Sequence, residues 1–374
     1  MKSNQFDIAI IGSGIVGLAH AWMAARNGLK AVVIDKDPFC QGASVRNFGF
    51  VTVTGQRAGE TWMRARTSRD LWIELAEAAK IDICHRGLLV VGQRNSAGAV
   101  LEAFKSSEMG QECELLSQPE VTKRFPEVRG DHIWGGLYSP HEIRVESRVA
   151  VKQITRWLKE TYDVCFLFEH ELLDISMPLL RTSKTELYCD RLVLATGSDL
   201  SGVAAPYFKD LGVSLTQLQM LRVQPKPGFK IQAAVMSDLS LVRYAGYIGL
   251  GAHENLLNEL KTEHPESLEA GIHLIVVQSL DGSMVVGDSH HPAEVTGPFA
   301  METVDQLILK HLSETVRLDT CSVTERWTGR YPVMPGDQDA LILAPIPDMR
   351  IVSIVSGTGA STAFGIAQEV MHNW

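Results

Sequence analysis

The sequence has little cysteine, and no two of its cysteines form a closely spaced pair. Six cysteines, at positions 40, 84, 113, 165, 189 and 321, are scattered singly among 374 residues. Zinc clusters and dithiol redox sites need paired thiols such as C-x-x-C, so neither kind of site is expected. Isolated cysteines are typical of a reducing compartment, and we predict a cytoplasmic protein.

An excess of positive charge and a long apolar run are also missing. The formal net charge is −9, from 35 basic and 44 acidic residues. This balance disfavours nucleic acid and anionic membranes as partners, and the arginines at 57, 64, 66 and 69 are expected to form a solvated helix face. No segment offers the roughly 20 apolar residues that cross a bilayer, so we predict no stable membrane insertion.

The N-terminal segment contains the complete pattern of a dinucleotide site. An apolar strand leads into Gly12-x-Gly14-x-x-Gly17, a helix follows, and a second strand ends on Asp35. The first glycine permits a tight turn, the second lets backbone approach a pyrophosphate, and the third lets the helix pack on the strand. An ordinary βαβ unit would not require the terminal carboxylate. Asp35 suits a ribose and would repel a 2′-phosphate, which favours FAD or NAD over NADP.

A second glycine-rich loop follows a buried strand near the C-terminus. The segment 357–362 opens a helix, and the strand 192–197 ends in another turn of small residues. A flavin needs backbone donors at its pyrophosphate and also at its N1–C2=O edge, where negative charge gathers on reduction. Simple closure of an αβ unit is the alternative, but two such loops together favour a flavin.

The elements between these loops predict two interleaved domains, consistent with the chain length. Helical periodicity is found at 60–80 and 147–160, and residues 219–323 alternate strands with one helix, which is typical of an antiparallel sheet. We assign 1–87, 147–218 and 324–374 to a discontinuous FAD-binding domain, and 88–146 and 219–323 to a substrate domain.

Five segments resemble the D-amino-acid oxidase family of FAD enzymes, which includes glycine oxidase and sarcosine oxidase. They are GSGIVG with Asp35, GASVRNFG at 42–49, LVLATG at 192–197, ERWTGRYPVMP at 325–335 and SGTGASTAFG at 356–365. More narrowly, ASVRNFGFVTVTGQRAGE, LQMLRV and VVGDSHH resemble a bacterial branch associated with breakdown of 2-aminoethylphosphonate and its N-methyl derivative.

The resemblance implies an α/β FAD-binding domain, Rossmann-like and of the glutathione-reductase type, with an interleaved α+β substrate domain built on an antiparallel sheet. It also implies that Ser44 and Asn47 lie near the flavin and that backbone at Leu172 touches the adenine. The residues expected at the cofactor are Gly12, Ser13, Gly14, Ile15, Val16, Gly17, Asp35, Lys36, Ser44, Arg46, Asn47, Phe48, Gly49, Leu172, Thr196, Gly197, Gly357, Thr358, Gly359, Ala360, Ser361 and Thr362.

The chemistry of such enzymes needs no catalytic triad. A neutral amine gives hydride to flavin N5 and the resulting imine is hydrolysed, so orientation and desolvation dominate. The family places an arginine for the substrate carboxylate before the proline of a G-x-R-P motif, whereas this chain has Tyr331 there. The usual carboxylate clamp is therefore displaced or absent, which argues against glycine and D-amino acids and favours another anion.

A small anionic amine would need arginines, hydroxyls and an apolar floor. The candidates are Arg222, Arg243, Tyr247, Ser289, His290, Arg330 and Tyr331. Structural roles are the alternative to binding the substrate. Arg222 could pair with a carboxylate, and His290 could occupy a plain turn. Arg46, a cofactor candidate, could orient the flavin loop instead of meeting the substrate. No third metal ligand of sensible spacing accompanies His290 and His291, so no metal is expected.

We therefore predict an FAD-dependent amine oxidoreductase that converts 2-aminoethylphosphonate or its N-methyl form into phosphonoacetaldehyde and an amine. Oxygen or an electron carrier would reoxidise the flavin. Neither Cys40 nor Cys321 matches an attachment position of the family, so noncovalent FAD is expected. The alternatives are an oxidase of glycine, sarcosine or a D-amino acid, a noncatalytic FAD-binding subunit, and an NAD-linked Rossmann dehydrogenase.

Overall fold

Two β-sheets organise the chain in a computed structural model of the protein, which describes residues 4–293, 297 and 299–374. The strands, numbered in chain order, are β1 (Gln5–Ile11), β2 (Ala31–Asp35), β3 (Phe50–Val51), β4 (Ile83–Gly92), β5 (Glu114–Ser117), β6 (Gly135–Val145), β7 (Cys165–Phe168), β8 (Leu172–Ser176), β9 (Leu179–Thr182), β10 (Glu186–Leu194), β11 (Ser214–Pro225), β12 (Ala234–Met236), β13 (Ile275–Gln278), β14 (Met284–Gly287), β15 (His291–Pro292), β16 (Cys321–Val333), β17 (Ala340–Leu343) and β18 (Met349–Ile354). The α-helices are α1 (Ile15–Arg26), α2 (Glu60–Ala78), α3 (Asn95–Ser106), α4 (Gln118–Arg124), α5 (Ser147–Tyr162), α6 (Ala205–Phe208), α7 (His253–Glu263), α8 (Pro265–Glu269), α9 (Glu302–Thr315) and α10 (Gly359–His372).

The first sheet is parallel through its centre and has the order β17-β18-β10-β1-β2-β7. The five strands from β18 to β7 run parallel, β17 pairs antiparallel with β18, and β8 and β9 form an antiparallel extension beside β10. The loops that follow β1, β2, β10 and β18 therefore lie at one edge of the sheet. This carboxyl edge is where open α/β sheets bind ligands.

The second sheet is mainly antiparallel and has the order β15-β11-β14-β13-β12-β4-β6-β3, with β16 beside β11 and β5 beside β6. Its long pair, β11 and β16, joins Ser214 with Val333 at one end and Pro225 with Cys321 at the other. The strands β13 and β14 form a hairpin around Asp281 and Gly282. Helices α3, α7 and α9 contribute buried apolar residues to the core of this sheet.

One face of the first sheet packs against α1, α2, α5 and α10. The small residues of α1 are buried on nearly every side of the helix, so α1 fits closely between the sheet and α10. Phe364 on α10 lies edge-on to Trp22 and Trp72, with ring centroids 5.5 Å and 5.1 Å apart. In α5, Val151, Ile154 and Leu158 are buried, as their helical spacing predicts. This packing fixes α1 and α10, whose N-termini meet at the carboxyl edge.

The predicted fold class is confirmed, but the predicted boundaries at 218 and 324 both fall inside strands. Residue 218 lies in β11 and residue 324 lies in β16. These strands pair along their whole lengths, so both belong to the second sheet and cannot be divided between domains. The boundary at 87 likewise cuts β4. Among the described residues, no helix has the length and apolarity needed to cross a membrane.

Candidate active site

A cavity of about 570 Å³ opens at the carboxyl edge of the parallel sheet and extends to the second sheet. The N-terminus of α1 supplies Ile15 and Val16, and the loop after β10 supplies Gly197. The segment 352–361, which runs from β18 into α10, supplies a continuous wall. The opposite wall comes from β11, β13 and β16 of the second sheet. The cavity thus joins the predicted cofactor loops to the predicted substrate domain.

Close backbone contacts require the glycines of the first loop. Gly12 has a φ of +105°, and a Cβ atom there would lie 2.3 Å from the Ala195 carbonyl oxygen. A Cβ on Gly17 would lie 1.9 Å from the Gly12 carbonyl oxygen, and one on Gly14 would lie 3.1 Å from Ser44 Oγ. These contacts bring β1, β10 and α1 together. The N-terminus of α1 is left with backbone N–H groups that an anion can bind.

Asp35 is held at the end of β2 by the same loop. Its Oδ2 accepts hydrogen bonds from the backbone N–H and hydroxyl of Ser13, at 2.7 Å and 2.6 Å, and its Oδ1 accepts one from Asp37 N–H at 3.0 Å. A carboxylate oxygen can accept more than one donor, so ribose hydroxyls remain possible partners. Lys36 instead pairs with Asp199, and this contact raises the pKa of Lys36.

The N-terminus of α10 forms the second backbone wall. Gly357 has a φ of +76°, and a Cβ atom there would lie 2.8 Å from the Tyr331 ring. Residues 357–361 line the cavity, and Ser361 Oγ accepts a 2.8 Å hydrogen bond from Thr52 N–H. Trp72 Nε1 donates to the Ala360 carbonyl at 2.8 Å. These bonds fix a helix N-terminus that faces the cavity and favours negative charge there.

The segment 42–49 lines the cavity between these two loops, but its polar side chains mostly serve the loop itself. Ser44 Oγ accepts a 2.8 Å hydrogen bond from Ile15 N–H. Asn47 donates to the Ala43 and Ser44 carbonyls and accepts from Gly49 N–H at 2.6 Å. Arg46 donates to the Gln41 and Thr328 carbonyls, as expected for a residue that orients the loop.

The remaining cofactor candidates lie outside the cavity lining. The hydroxyls of Thr196 and Thr362 bond to backbone carbonyls of Asp199 and Thr358. Leu172 is buried at the start of β8, on the opposite face of the first sheet from α1. Gly49 packs directly on β6, where its Cβ would meet the Val145 carbonyl. Among the described residues, no cysteine lines the cavity.

The end of the cavity within the second sheet is polar, and we call it the polar end. Its side chains are Arg243, Tyr244, His273, Asp288, His290 and Tyr331. The rings of His273 and His290 are stacked with centroids 5.2 Å apart, Tyr244 meets His273 edge-on at 5.4 Å, and Tyr331 meets His290 edge-on at 6.0 Å. Because Tyr331 also contacts Gly357, the polar end adjoins the N-terminus of α10.

Arg46, Arg57, Arg243 and Arg330 line the cavity, and the two substrate candidates among them, Arg243 and Arg330, differ in what they bind. Arg330 Nε donates to Gln217 Oε1 at 2.8 Å and its Nη2 donates to the Gly297 carbonyl at 2.6 Å. Arg243 is exposed to the cavity and contacts the Tyr331 hydroxyl. No carboxylate of the described residues forms a salt bridge with Arg243. Its guanidinium is therefore the one better placed to receive an anion.

Burial and neighbouring charges set the protonation of the polar end. Burial raises the pKa of Tyr331 to about 12, so its phenol stays protonated. Burial alone would raise the pKa of Asp288, but the two neighbouring histidines and Arg243 hold it below its ordinary value. Burial lowers the pKa of His290 to about 3. Near neutral pH the polar end therefore holds a carboxylate, a neutral imidazole and a guanidinium.

Three predicted substrate residues lie outside the cavity lining. Arg222 is buried beside β14 and donates to Ser279 and Ser283 at 3.1 Å and 2.8 Å, with Glu146 at 3.3 Å. The position of Arg222 on β11 brings its side chain to these partners. The prediction that Arg222 binds the substrate is therefore corrected to the alternative, in which it pairs with a carboxylate. Tyr247 is fully buried against Phe104, and the Ser289 hydroxyl bonds to Gln219 N–H.

Replacing Arg222 with methionine should destabilise the fold and leave ligand binding unchanged. The variant removes two hydrogen bonds to serine hydroxyls and one partner of Glu146, while Arg144 still pairs with this carboxylate at 2.9 Å. We expect a loss on the order of 2 kcal/mol in the free energy of unfolding, measured by urea titration. If the variant instead loses substrate affinity and its free energy of unfolding is unchanged, Arg222 returns to the substrate candidates.

Tyr244, His273 and Asp288 of the polar end were not among the residues predicted from the sequence. A signal for the last two was present, since Asp281-Gly282 between apolar runs predicts a β-hairpin. Gln278 pairs with Met284 in this hairpin, and continuing the register brings His273 beside 288–290. A third side chain with metal-ligand chemistry therefore does accompany His290, contrary to our expectation: the ligand atoms of His273, Asp288 and His290 lie within 4.8 Å of one another.

A family model described as DAO, FAD-dependent oxidoreductase, matches residues 7–372. The chain belongs to this family. The broad resemblance to D-amino-acid oxidases is thereby confirmed, and the narrower resemblance to the aminoethylphosphonate branch stays a prediction. FAD is the cofactor of the family, and the described residues fit it. The glycines of the first loop exclude side chains beside a helix N-terminus, Asp35 suits the ribose, and the N-terminus of α10 suits the flavin edge.

Two oxidases resemble part of this DAO-family chain in sequence, and two solved structures resemble nearly all of it in fold. Monomeric sarcosine oxidase from Bacillus sp. (strain B-0618) is 24% identical over 37% of this chain, and N-methyl-L-tryptophan oxidase from Salmonella typhi is 30% identical over 41%. These alignments span 37% and 42% of the relatives' own lengths. Glycine oxidase from Bacillus cereus ATCC 14579 superposes with a TM-score of 0.77 at 16% identity, covering 97% of this chain and 93% of that one. L-proline dehydrogenase from P. horikoshii gives 0.78 at 17%, covering 99% and 94%. At these identities the solved structures support the fold alone.

Proposed function

We propose that the protein oxidises the amine of a small aminophosphonate, 2-aminoethylphosphonate or its N-methyl derivative, with noncovalently bound FAD. The observation that carries the proposal is the position of Arg243. This guanidinium lines the cavity without a carboxylate salt bridge among the described residues, next to the Tyr331 hydroxyl. The tyrosine stands where the family resemblance leads one to expect a carboxylate-binding arginine. A cation at Arg243, instead of at position 331, suits an anion whose shape and charge differ from those of a carboxylate.

The residues of the polar end can perform the binding that such a reaction needs. Arg243 would hold the phosphonate through charge-assisted hydrogen bonds, and the Tyr331 phenol would donate one more. Phe48, Leu218 and Met220 supply an apolar floor that excludes water from the C–H bond. Bound FAD supplies the acceptor for the hydride that leaves the carbon beside the nitrogen. The substrate becomes an imine, and water hydrolyses it to phosphonoacetaldehyde and ammonia or methylamine.

The names of the relatives support amine chemistry and favour the N-methyl form of the substrate. Sarcosine and N-methyltryptophan are both N-methyl amines, and the proteins named for their oxidation resemble this chain over part of its length. Glycine or sarcosine is the rival substrate. The presence of Tyr331 instead of an arginine before Pro332 weighs against it. A cytoplasmic location, and oxygen or an electron carrier as the final acceptor, stay predictions.

An anaerobic substrate panel tests the proposal. The purified holoprotein is mixed separately with N-methyl-2-aminoethylphosphonate, 2-aminoethylphosphonate, glycine and sarcosine, and loss of the oxidised-flavin absorbance is followed. We expect rapid bleaching by an aminophosphonate. Ethylphosphonate is the matched control, because it keeps the anion and lacks the amine, and it should leave the flavin oxidised. Bleaching by glycine or sarcosine alone would reject the aminophosphonate, and no bleaching by any amine would favour a noncatalytic FAD-binding subunit.

A further inference from the structure

Two hydrogen-bond acceptors face each other at the polar end. His290 Nδ1 lies 3.0 Å from the Gly271 carbonyl oxygen. A carbonyl only accepts, so Nδ1 carries the proton and Nε2 of the neutral ring has a lone pair. This Nε2 lies 3.9 Å from Asp288 Oδ2, and both residues line the cavity. A lone pair and a carboxylate oxygen at this separation repel each other unless a donor or a cation bridges them.

The neighbouring residues leave this pair of acceptors in need of such a bridge. His273 Nε2 lies 3.0 Å from the other carboxylate oxygen, Oδ1, and therefore does not reach between Oδ2 and His290. Tyr331 and Tyr244 flank the histidines edge-on. Arg243 acts on Asp288 through its charge and forms no salt bridge with it. Asp288 Oδ2 and His290 Nε2 therefore need hydrogen-bond donors, and a group bound in the cavity can provide them.

We propose that Asp288 Oδ2 and His290 Nε2 together bind the amino group of the substrate. This inference rests on the proposed amine oxidation and adds to it a recognition site for the nitrogen. A primary or secondary ammonium has at least two N–H groups, one for each acceptor, and its charge neutralises the buried carboxylate. Transfer of one ammonium proton to one of these two acceptors then leaves the neutral amine from which the hydride departs. With Arg243 at the anion, the polar end then binds the two ends of an anionic amine with opposite charges.

The geometry implies a substrate specificity. A tertiary ammonium has a single N–H and cannot satisfy both acceptors, whereas a hydroxyl offers one donor and no charge. The site therefore selects primary and secondary amines against N,N-dimethyl amines and against alcohols that carry the same anion. Leaving one buried acceptor without a donor carries a large penalty, so the discrimination should reach about tenfold or more.

The test separates recognition of the amine from recognition of the anion. Dissociation constants for 2-aminoethylphosphonate and for ethylphosphonate are read from their perturbation of the oxidised-flavin spectrum, at a pH and time where reduction is negligible. In Asp288→Asn we expect affinity for the aminophosphonate to fall by about tenfold or more, with affinity for ethylphosphonate unchanged or improved. Asp281→Asn is the matched control at the far end of the same hairpin, where among the described residues its side chain bonds only to Ser283, and it should change neither constant.

Other outcomes overturn the inference. Equal loss of both affinities in Asp288→Asn would assign this carboxylate to general support of the cavity. Loss of aminophosphonate binding by wild-type holoprotein in EDTA, restored by Zn²⁺ alone, would assign the three side chains to a metal ion. Because binding is read without turnover, failure of the oxidation assay and failure of amine recognition remain distinguishable. If sarcosine replaces the aminophosphonate as substrate, the same comparison is made with sarcosine and acetate.

Discussion

Replacing Gly12 with alanine is expected to give a protein that purifies without flavin colour. The residue has a φ of +105°, where a side chain costs about 1–3 kcal/mol, and its Cβ would lie 2.3 Å from the Ala195 carbonyl oxygen. Neither atom can move alone, since Ala195 N–H bonds to the Ile11 carbonyl at 2.9 Å and Gly12 N–H to the Ile34 carbonyl at 2.8 Å. Relief of the contact must therefore displace the loop that we expect to bind the pyrophosphate. The measurement is the ratio of flavin to protein absorbance after purification.

Gly28→Ala provides the matched control for this prediction. Gly28 also has a positive φ, +76°, but no atom lies within 4 Å of the position that its Cβ would occupy. It follows α1 and is exposed. This variant shares the backbone strain without the collision, so we expect retained flavin and a modest loss of stability. A yellow Gly12→Ala protein with wild-type flavin content would show that the loop tolerates the side chain, and circular dichroism separates lost FAD from lost fold.

The sequence predicted the first sheet better than the second for a physical reason. Gly12, Gly17 and Asp35 each meet a local demand of one βαβ unit, so residues close in the chain specify the structure. The long pair β11 and β16 instead joins strands about a hundred residues apart. Alternation of apolar residues identifies each strand but does not identify its partner. The predicted boundaries therefore cut both strands.

The same distinction applies to the candidate site. The glycine-rich loops at the cavity could be predicted because each is a contiguous sequence motif, and their role in binding the cofactor stays a prediction. Arg222 and Arg243 could not be told apart from sequence, since both are arginines in the same predicted domain. Their roles depend on which side of a strand or turn faces the cavity: Arg222 meets Glu146 and two serines, whereas Arg243 meets the cavity. Asp288 was overlooked because its partner His273 arrives through the register of a hairpin.

Replacing Arg243 with glutamine is expected to weaken binding of the anionic substrate roughly 10- to 100-fold, as removal of a hydrogen bond to a charged group does. The concentration of N-methyl-2-aminoethylphosphonate that gives half-maximal flavin reduction is the measurement. Flavin content should stay unchanged, since Arg243 belongs to the polar end and takes no part in the side-chain hydrogen bonds that hold the segment 12–17. Stability should change little, because among the described residues Arg243 forms no salt bridge that the variant would break. Arg243→Lys should recover part of the affinity through its charge and not all of it, because a lysine cannot bind two phosphonate oxygens in a fixed planar fork.

Arg330→Gln decides between the two arginines that are candidates for binding the anion, Arg243 and Arg330. Two donors of Arg330 are already bonded, to Gln217 and to the Gly297 carbonyl, so its substitution should reduce stability more than substrate affinity. Ethylphosphonate binding makes the comparison independent of the amine: Arg243→Gln should weaken it about as much as it weakens the substrate, whereas Asp288→Asn should not. If Arg330→Gln instead causes the larger loss of ethylphosphonate affinity, the anion lies on the β16 side of the cavity, near the position of the family's arginine. The displaced-cation argument for a phosphonate would then lose its basis.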